Sequence, residues 1–321
     1  MKAQFSKVTV TAPARLHMGF IDLSGALGRH FGSIGVALNE IVTRLTITRS
    51  DRPEASGFSE VRVAKQLQSL CVALNVPDTV HIHVDEAIPE HVGLGSGTQM
   101  ALAIGMGLSH FYGLSYSVRD IAQLTERGRR SGIGIGVFER GGLVVDGGRG
   151  EHTITPPVLS QMAVPENWRF ILVFDKRGQG LHGKQEIEAF KALPPFSQTE
   201  AARLCYLLLM QGLPAIAERD IAKFGEVITQ LQKAVGEHFA SAQGGVFTSG
   251  EVSEAMSWCE RQGAVALGQT SWGPTGFCAL EGLDCAEALC LKARQEFSGY
   301  ENLQFKTVSA RNSGGEITGF A

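Results

Sequence analysis

The stretch Pro89-Glu90-His91-Val92-Gly93-Leu94-Gly95-Ser96-Gly97-Thr98-Gln99-Met100 decides how this chain is read. Ahead of it, Thr79 to Val84 alternates Val80, Ile82 and Val84 with His81 and His83, the period-2 pattern of a half-buried strand. Behind it, Ala101, Ile104, Leu108 and Phe111 share one face of a helix. Glycines in the turn accept positive φ and let a ligand approach the backbone closely. Ser96 reads as the N-cap, so unpaired N–H groups and the positive end of the helix dipole point into the turn. Two readings fit: an anion site, with phosphate the first choice, or a strand-to-helix turn with an ordinary cap. No Gly-Lys-Ser/Thr closes the loop, so it is not a Walker loop, and it is not the dinucleotide fingerprint.

The bulk numbers set the frame. A chain of 321 residues holds one large or two medium domains with real cores. With 44% apolar and 19% charged residues it has the make-up of a soluble globular protein. A net charge of −3 gives no reason to expect nucleic acid or membrane as a partner, so any basic site is local. The 39 glycines are too many for a helical bundle and point to tight turns between strands and helices. The six cysteines form no Cys-x-x-Cys pair and no ligand spacing, which suits buried reduced thiols. The N-terminal stretch lacks the apolar core of a signal peptide, and a cytoplasmic protein is expected.

Working outward, a strand is expected over residues 5 to 14, ending near Pro13, and a second over Val42 to Thr48. A helix follows over Val61 to Leu74. Ser117 to Asp120 is a capping box opening another helix. Gly141 to Gly148 reads as a strand between glycine turns. The Gly- and Pro-rich stretch 147–165 is the candidate boundary, giving domains 1–160 and 161–321. Beyond it the pattern gives a strand over Phe170 to Phe174. Helices follow near Lys184 to Lys191, Glu200 to Met210, Ile221 to Val235 and Val252 to Gln262. Strands are expected at Ala264 to Gly268 and Gly276 to Leu280, a helix at Cys285 to Phe297 and a strand at Leu303 to Val308. The class is α+β, with an antiparallel C-terminal sheet carrying helices on one face.

Several constellations have chemical potential. Arg15, His17 and Asp22 fall within eight residues on a strand and turn; they form either a ligand-holding set or a packed histidine with an Asp22 turn cap. Arg129 and Arg130 precede Ser131-Gly132-Ile133-Gly134-Ile135-Gly136. This glycine run has the wrong spacing for a nucleotide fingerprint. The arginines are either a solvated helix end or bidentate phosphate ligands. Gly268 to Gly276, containing Ser271, Trp272 and Gly273, is either a plain hairpin turn or a loop facing the first one. Arg29 and His30 are weaker candidates for a phosphate, and Lys176 and Arg177 either are solvated or reach in from the second domain.

The Pro89 to Ser96 loop resembles the second motif of the GHMP kinase superfamily, with Gly97 in place of its second serine. That resemblance implies a ribosomal-S5-domain-2-like N-terminal domain and a ferredoxin-like C-terminal domain with extra helices. It also implies a phosphate loop at Gly93, Gly95, Ser96, Gly97 and Thr98, and magnesium held by Ser96 and Glu126. Gly134 stands where mevalonate-kinase-like enzymes place a catalytic aspartate, and a glycine cannot take a proton.

Ala12-Pro13-Ala14-Arg15-Leu16-His17-Met18-Gly19-Phe20-Ile21-Asp22, Arg130 to Gly134 and Gln269 to Pro274 narrow the resemblance. With Gly180-Leu181-His182-Gly183 and Glu186, they resemble the β-ribofuranosylaminobenzene 5′-phosphate synthase family of methanopterin biosynthesis. That resemblance implies condensation of 4-aminobenzoate or 4-hydroxybenzoate with phosphoribosyl pyrophosphate, releasing CO2 and pyrophosphate. Arg15, His17 and Asp22 then become the catalytic candidates; Arg129, Arg130, Ser131, Gly132, Ser271 and Gly273 join the loop as substrate-binding candidates. The acidic-pair signature of ordinary phosphoribosyltransferases is missing, so the nucleotide loop would be repurposed. A kinase of the same fold is the alternative, and a homodimer is possible.

Overall fold

The computed structural model describes residues 3–178, 193–271 and 273–320. The helix expected near Lys184 to Lys191, together with His182, Glu186 and Trp272, lies outside the described residues.

The N-terminal half is built on two long antiparallel strands, β1 (Lys7–Asp22) and β2 (Phe31–Arg49). Both run well past the expected ends. Pro13 does not stop β1, because register shifts at Pro13/Arg15 and His17/Gly19 absorb the irregularity. Beyond β2 lie β4 (Val80–Glu86), antiparallel, and then β3 (Glu54–Gly57), parallel to β4. Strand β5 (Leu143–Asp146) pairs with the early part of β2, and β6 (Val158–Met162) pairs with β5. On the other edge, β11 (Glu316–Phe320) pairs antiparallel with β1, Lys7 facing Phe320. The expected division at 160/161 therefore falls inside β6, and the last strand returns to the first sheet.

Helices α1 (Glu60–Leu74), α2 (Ser96–Phe111), α3 (Val118–Leu124) and α4 (Ile133–Arg140) bury apolar faces against this sheet. Ala101, Ile104, Leu108 and Phe111 of α2 are fully buried, as their spacing requires. Ser117 and Asp120 form the reciprocal capping box at the start of α3.

The second sheet has the order β10-β7-β9-β8, all antiparallel, from β7 (Trp168–Asp175), β8 (Val265–Gln269), β9 (Gly276–Glu281) and β10 (Leu303–Ser309). This is the ferredoxin-like arrangement. Its helices cover both faces, not one. Ile171, Val173 and Cys278 face α8 (Gly250–Arg261) and α9 (Leu283–Glu296). Phe170, Leu172 and Phe277 face α5 (Gln198–Leu207), α6 (Leu213–Glu218) and α7 (Ile221–Gln243). The run Phe170-Ile171-Leu172-Val173 is continuously apolar because β7 is buried on both sides. A π-helical turn (Leu208–Gly212) joins α5 to α6.

The cluster containing Phe170 and Phe277 also holds Leu16, Met18 and Phe20 of β1 and Ile34, Val36 and Leu38 of β2. The two halves thus share one core. At Gly19, with φ 131°, a Cβ would collide with Leu231 of α7, so only glycine lets the helix sit on the β1 backbone. Cys205 and Cys285 are exposed and the other four cysteines buried, all six free thiols. Among the described residues no helix is long and apolar enough to cross a membrane.

Two expectations follow. Phe277→Ala removes a fully buried ring from the shared core and should cost about 3–5 kcal/mol in chemical denaturation. Hydrogen bonds from the Arg177 guanidinium, and then from the Ser249 hydroxyl, hold the Asp175 carboxyl down to about 2. Because the folded pKa lies below the unfolded one, this stability is present above the unfolded value of ~3.9 and fades as pH falls through about 2. Asp175→Asn should flatten that part of an acid titration followed by circular dichroism.

Candidate active site

The turn before α2 is capped differently from its sequence reading. Gly95, at φ 81°, is the N-cap, and Ser96 is the first helical residue. No side chain caps the helix. Gly95 O accepts from Thr98 N at 3.1 Å and Gln99 N at 3.0 Å. The Ser96 and Gly97 amides, too early for intrahelical bonds, have no protein acceptor among the described residues.

Two cations stand over this end. A Cβ built on Gly97 would meet Arg62 Nη2 at 2.5 Å and Arg127 Nη1 at 3.5 Å, so glycine leaves the room they occupy. Arg62, from α1, is paired with Glu90 at 2.9 Å. Arg127 Nε is buried without a partner. Burial first, and the Arg62 charge second, pull the Arg127 pKa down. Two like charges beside free amides form a site that an anion would relieve.

Strand β1 supplies the second wall. Arg15 N donates to Leu94 O at 3.1 Å, and its guanidinium donates to Gly93 O. Its side chain lies against Gly95, where a Cβ would meet Arg15 Cγ at 2.8 Å. His17 is 2% exposed. Its N–H donates to Thr270 Oγ1 at 3.0 Å, and its Nδ1 accepts from Gly19 N at 3.2 Å. Its Nε2 is buried with no partner. Burial first, and Arg15 second, hold its pKa well below the usual 6.5, so the ring is neutral.

The expected third segment meets the first loop directly. Thr270 Oγ1 donates to Gly93 O at 2.9 Å and Thr275 Oγ1 to Val92 O at 2.8 Å. A Cβ on Gly273 would come within 2.5 Å of Val92 O, so the turn and the loop touch through bare backbone. Ser271, at φ 54°, lines a pocket with His17.

Ser131 and Gly132 take part through a residue that the sequence reading missed. Asp146, fully buried, accepts from Gly132 N at 2.8 Å and from the hydroxyls of Ser33 and Ser131, and its other oxygen accepts from Gly148 N at 2.8 Å. Burial pushes its pKa up, against those hydrogen bonds. Ser131 and Gly132 are therefore anchored at the start of α4 instead of reaching for a ligand. Two residues on, a Cβ on Gly134 would meet Thr98 Cγ2 at 3.0 Å, and Gly134 O accepts from Gln99 Nε2 at 2.8 Å. The expected position of an aspartate is thus filled by helix packing at the loop.

Other candidates stand apart. Asp22 Oδ1 accepts from Ser24 N at 2.8 Å and Ser24 Oγ at 2.6 Å, capping the turn after β1. At ~3.3 Å per residue it sits roughly 16 Å along the strand from His17. Arg129 pairs with Glu126 at 2.7 Å, both side chains exposed, while Arg130 is half-buried on the same connection. Glu126 is thus engaged by Arg129, and the described residues hold no cluster of three or more His, Cys, Asp or Glu fit for a metal. Arg29 donates to Gly147 O and Gly148 O, a loop brace, and Arg177 to Asp175 and Glu251. Arg127 stands in the run Arg127-Gly128-Arg129-Arg130, of which only the last two arginines were expected at the site. Which of its arginines turns inward is set by Glu126 at φ 55° and Gly128 at φ 79°, which no pattern announces.

Residues 61–141 match the family described as GHMP kinases N terminal domain, and residues 213–299 that described as GHMP kinases C terminal. The mevalonate diphosphate decarboxylase of Staphylococcus aureus superposes with a TM-score of 0.67 at 16% identity, covering 98% of both chains, which shows a common fold. The beta-ribofuranosylphenol 5′-phosphate synthase of Methanocaldococcus jannaschii is 34% identical over 251 residues, 70% of this chain and 76% of that one. Its Archaeoglobus fulgidus counterpart is 31% identical over 317 residues, 95% and 97% of the two chains. On these likenesses, and on its fold, the chain belongs to the beta-ribofuranosylphenol 5′-phosphate synthase family within the GHMP kinase superfamily.

Proposed function

We propose that the chain transfers the 5-phosphoribosyl group of phosphoribosyl pyrophosphate to the ring carbon of 4-hydroxybenzoate or 4-aminobenzoate that bears the carboxylate. Pyrophosphate and CO2 leave, and the product enters methanopterin biosynthesis. The observation that carries this reading is the uncapped start of α2 with Arg62 and Arg127 over Gly97. That arrangement suits a diphosphate whose negative charge grows as it departs.

Breaking the bond from the anomeric carbon to pyrophosphate leaves an oxocarbenium-like ribosyl centre. The ring carbon attacks it, forming the C–C bond. The ring then recovers aromaticity by losing CO2, whose electron pair returns to the ring. No protein group has to remove a proton from carbon, which agrees with a glycine at 134. Arg15, on β1 against the loop before α2, is assigned to the carboxylate. Water must be kept from the cation, and the contact of the 270–275 turn with Gly93 supports that role. Asp22 is assigned to the rim beyond His17. Ser131 and Gly132 shape the wall through Asp146, and Ser271 and Gly273 the facing turn.

Magnesium is part of the proposal. With no cluster of three acids among the described residues, the ion would take most ligands from the diphosphate and water, as magnesium usually does. The Ser96 hydroxyl and Glu126 are the protein donors assigned to it, the latter after exchanging Arg129 for the ion. Magnesium would neutralise charge on the leaving group.

The full chain supplied with carboxyl-labelled 4-hydroxybenzoate, phosphoribosyl pyrophosphate and magnesium should release labelled CO2. Consumption of ATP with a small alcohol and no labelled gas would instead establish a kinase. Arg127→Ala should weaken pyrophosphate binding by roughly ten- to a hundredfold, the worth of a charged hydrogen bond, in calorimetry. Gly134→Asp should lower thermal stability by crowding Thr98 and should confer no ATP-dependent phosphorylation.

A further inference from the structure

Strand β8 is the outer strand of the second sheet and pairs with β9 on its inner side. The amides on its open edge are answered by side chains of α7 instead of by another strand. Leu267 N donates to Thr229 Oγ1 at 3.1 Å, and Gln269 N to Gln232 Oε1 at 2.8 Å. Thr229 and Gln232 stand three apart on the helix and share a face. Leu267 and Gln269 stand two apart on the strand, so their amides point the same way.

Gln232 makes one further bond that Thr229 does not. Its Nε2 donates to Met18 O at 2.7 Å, so a single amide ties β8 of the second sheet to β1 of the first. Two glycines leave the room for it. A Cβ on Gly268 would lie 2.3 Å from Gln232 Cγ, and one on Gly19 would lie 3.4 Å from Gln232 Nε2. The bridge needs a donor and an acceptor on one rigid plane, which a side-chain amide supplies.

The residues beside these two anchors are the ones that hold the loop before α2. Thr270 follows Gln269 and donates to Gly93 O at 2.9 Å; His17 precedes Met18, and its N–H donates to Thr270 Oγ1 at 3.0 Å. Gln232, Gln269-Thr270 and His17-Met18 thus close a ring that joins β1 to β8 twice. Opening the ring at Gln232 would free the end of β8 to move against β1, and with it the turn that fixes Gly93.

We propose that Gln232 is a positioning residue: its amide sets the turn after β8 against β1 and, through Thr270 and Gly93 O, keeps the Ser96 and Gly97 amides aimed at the diphosphate. It acts through Thr270 and not by touching the ligand. The proposal rests on the transfer reading above for that ligand, and it adds a residue outside every motif of the sequence.

Calorimetric binding of pyrophosphate to the full chain tests this without requiring turnover. Gln232→Met keeps the length and loses both bonds; it should bind pyrophosphate about tenfold more weakly, the worth of two neutral hydrogen bonds. Amide hydrogen exchange should quicken in β8, the turn after it and residues 17–19, and stay unchanged in α9. Thr229→Val loses the other edge bond but no tie to β1, and should bind within about twofold of the wild type. Gln232→Glu places a carboxylate against Met18 O when ionised; protonated, it again offers an O–H and a C=O. Partial burial and the facing carbonyl favour the protonated form, so its deficit relative to the wild type should shrink as the pH falls to about 5. The ionisable neighbours, His17 on the inner side and Lys233 and Glu260 on the outer, are common to both chains and cancel in that ratio. Should Gln232→Met misfold by circular dichroism, the pH series of Gln232→Glu decides within one protein.

Undiminished binding in Gln232→Met, an equal loss in Thr229→Val, exchange that quickens evenly across the chain, or a Gln232→Glu deficit that ignores pH overturns the proposal. So does a wild-type chain that binds no pyrophosphate. Labelled CO2 from the wild type, with all variants binding alike, would leave the transfer standing and sink the positioning role. The expected affinities without released CO2 would keep the positioning role and sink the transfer.

Discussion

Everything at this site depends on two backbones touching. Gly93 and Gly273 let the loop before α2 and the turn after β8 approach closely, and Thr270 and Thr275 fasten the contact by donating to Gly93 O and Val92 O. A side chain at either glycine would wedge the two halves apart. Thr270 then accepts from His17 N, so the position of β1 is fixed from the far half of the molecule. The loop before α2, Arg15 and the strand around His17 are thus three parts of one frame.

Electrostatics gives that frame its direction. The protein as a whole is slightly acidic, yet Arg15, Arg62 and Arg127 converge on the first turn of α2. Arg62 is partly answered by Glu90, whereas Arg127 Nε is buried unanswered, and the helix adds its own positive end. A few Å further along β1 the environment changes to neutral imidazole, amides and aromatic rings.

Much of this could be read in the residues. The period switch around Gly93 to Thr98 located the loop, and the apolar faces located α1, α2 and the C-terminal elements. The quoted motifs pointed to the family. What escaped was set by tertiary contact. The extension of β1 through Pro13 depends on pairing with β2, and β11 is too polar on alternate positions to announce that it completes a sheet begun at Lys7. Helices on both faces of the second sheet were implied by the unbroken run at Phe170 to Val173, which weighs more than the flanking helix count. At the site, Arg127 outranks Arg129 because of two backbone torsions, and Asp146 matters only because folding brings Ser33, Ser131 and Gly132 around it.

The pairing of β11 with β1 has a consequence for how the molecule comes into being. During vectorial synthesis β1 leaves the ribosome long before β11, and its outer edge waits for that partner. An unpaired edge of alternating valines is a template for neighbouring nascent chains. The shared core, filled jointly by β1, β2 and the C-terminal helices, is likewise incomplete until then. Completion of the first sheet and of the shared core thus both wait on the C-terminal half of the chain.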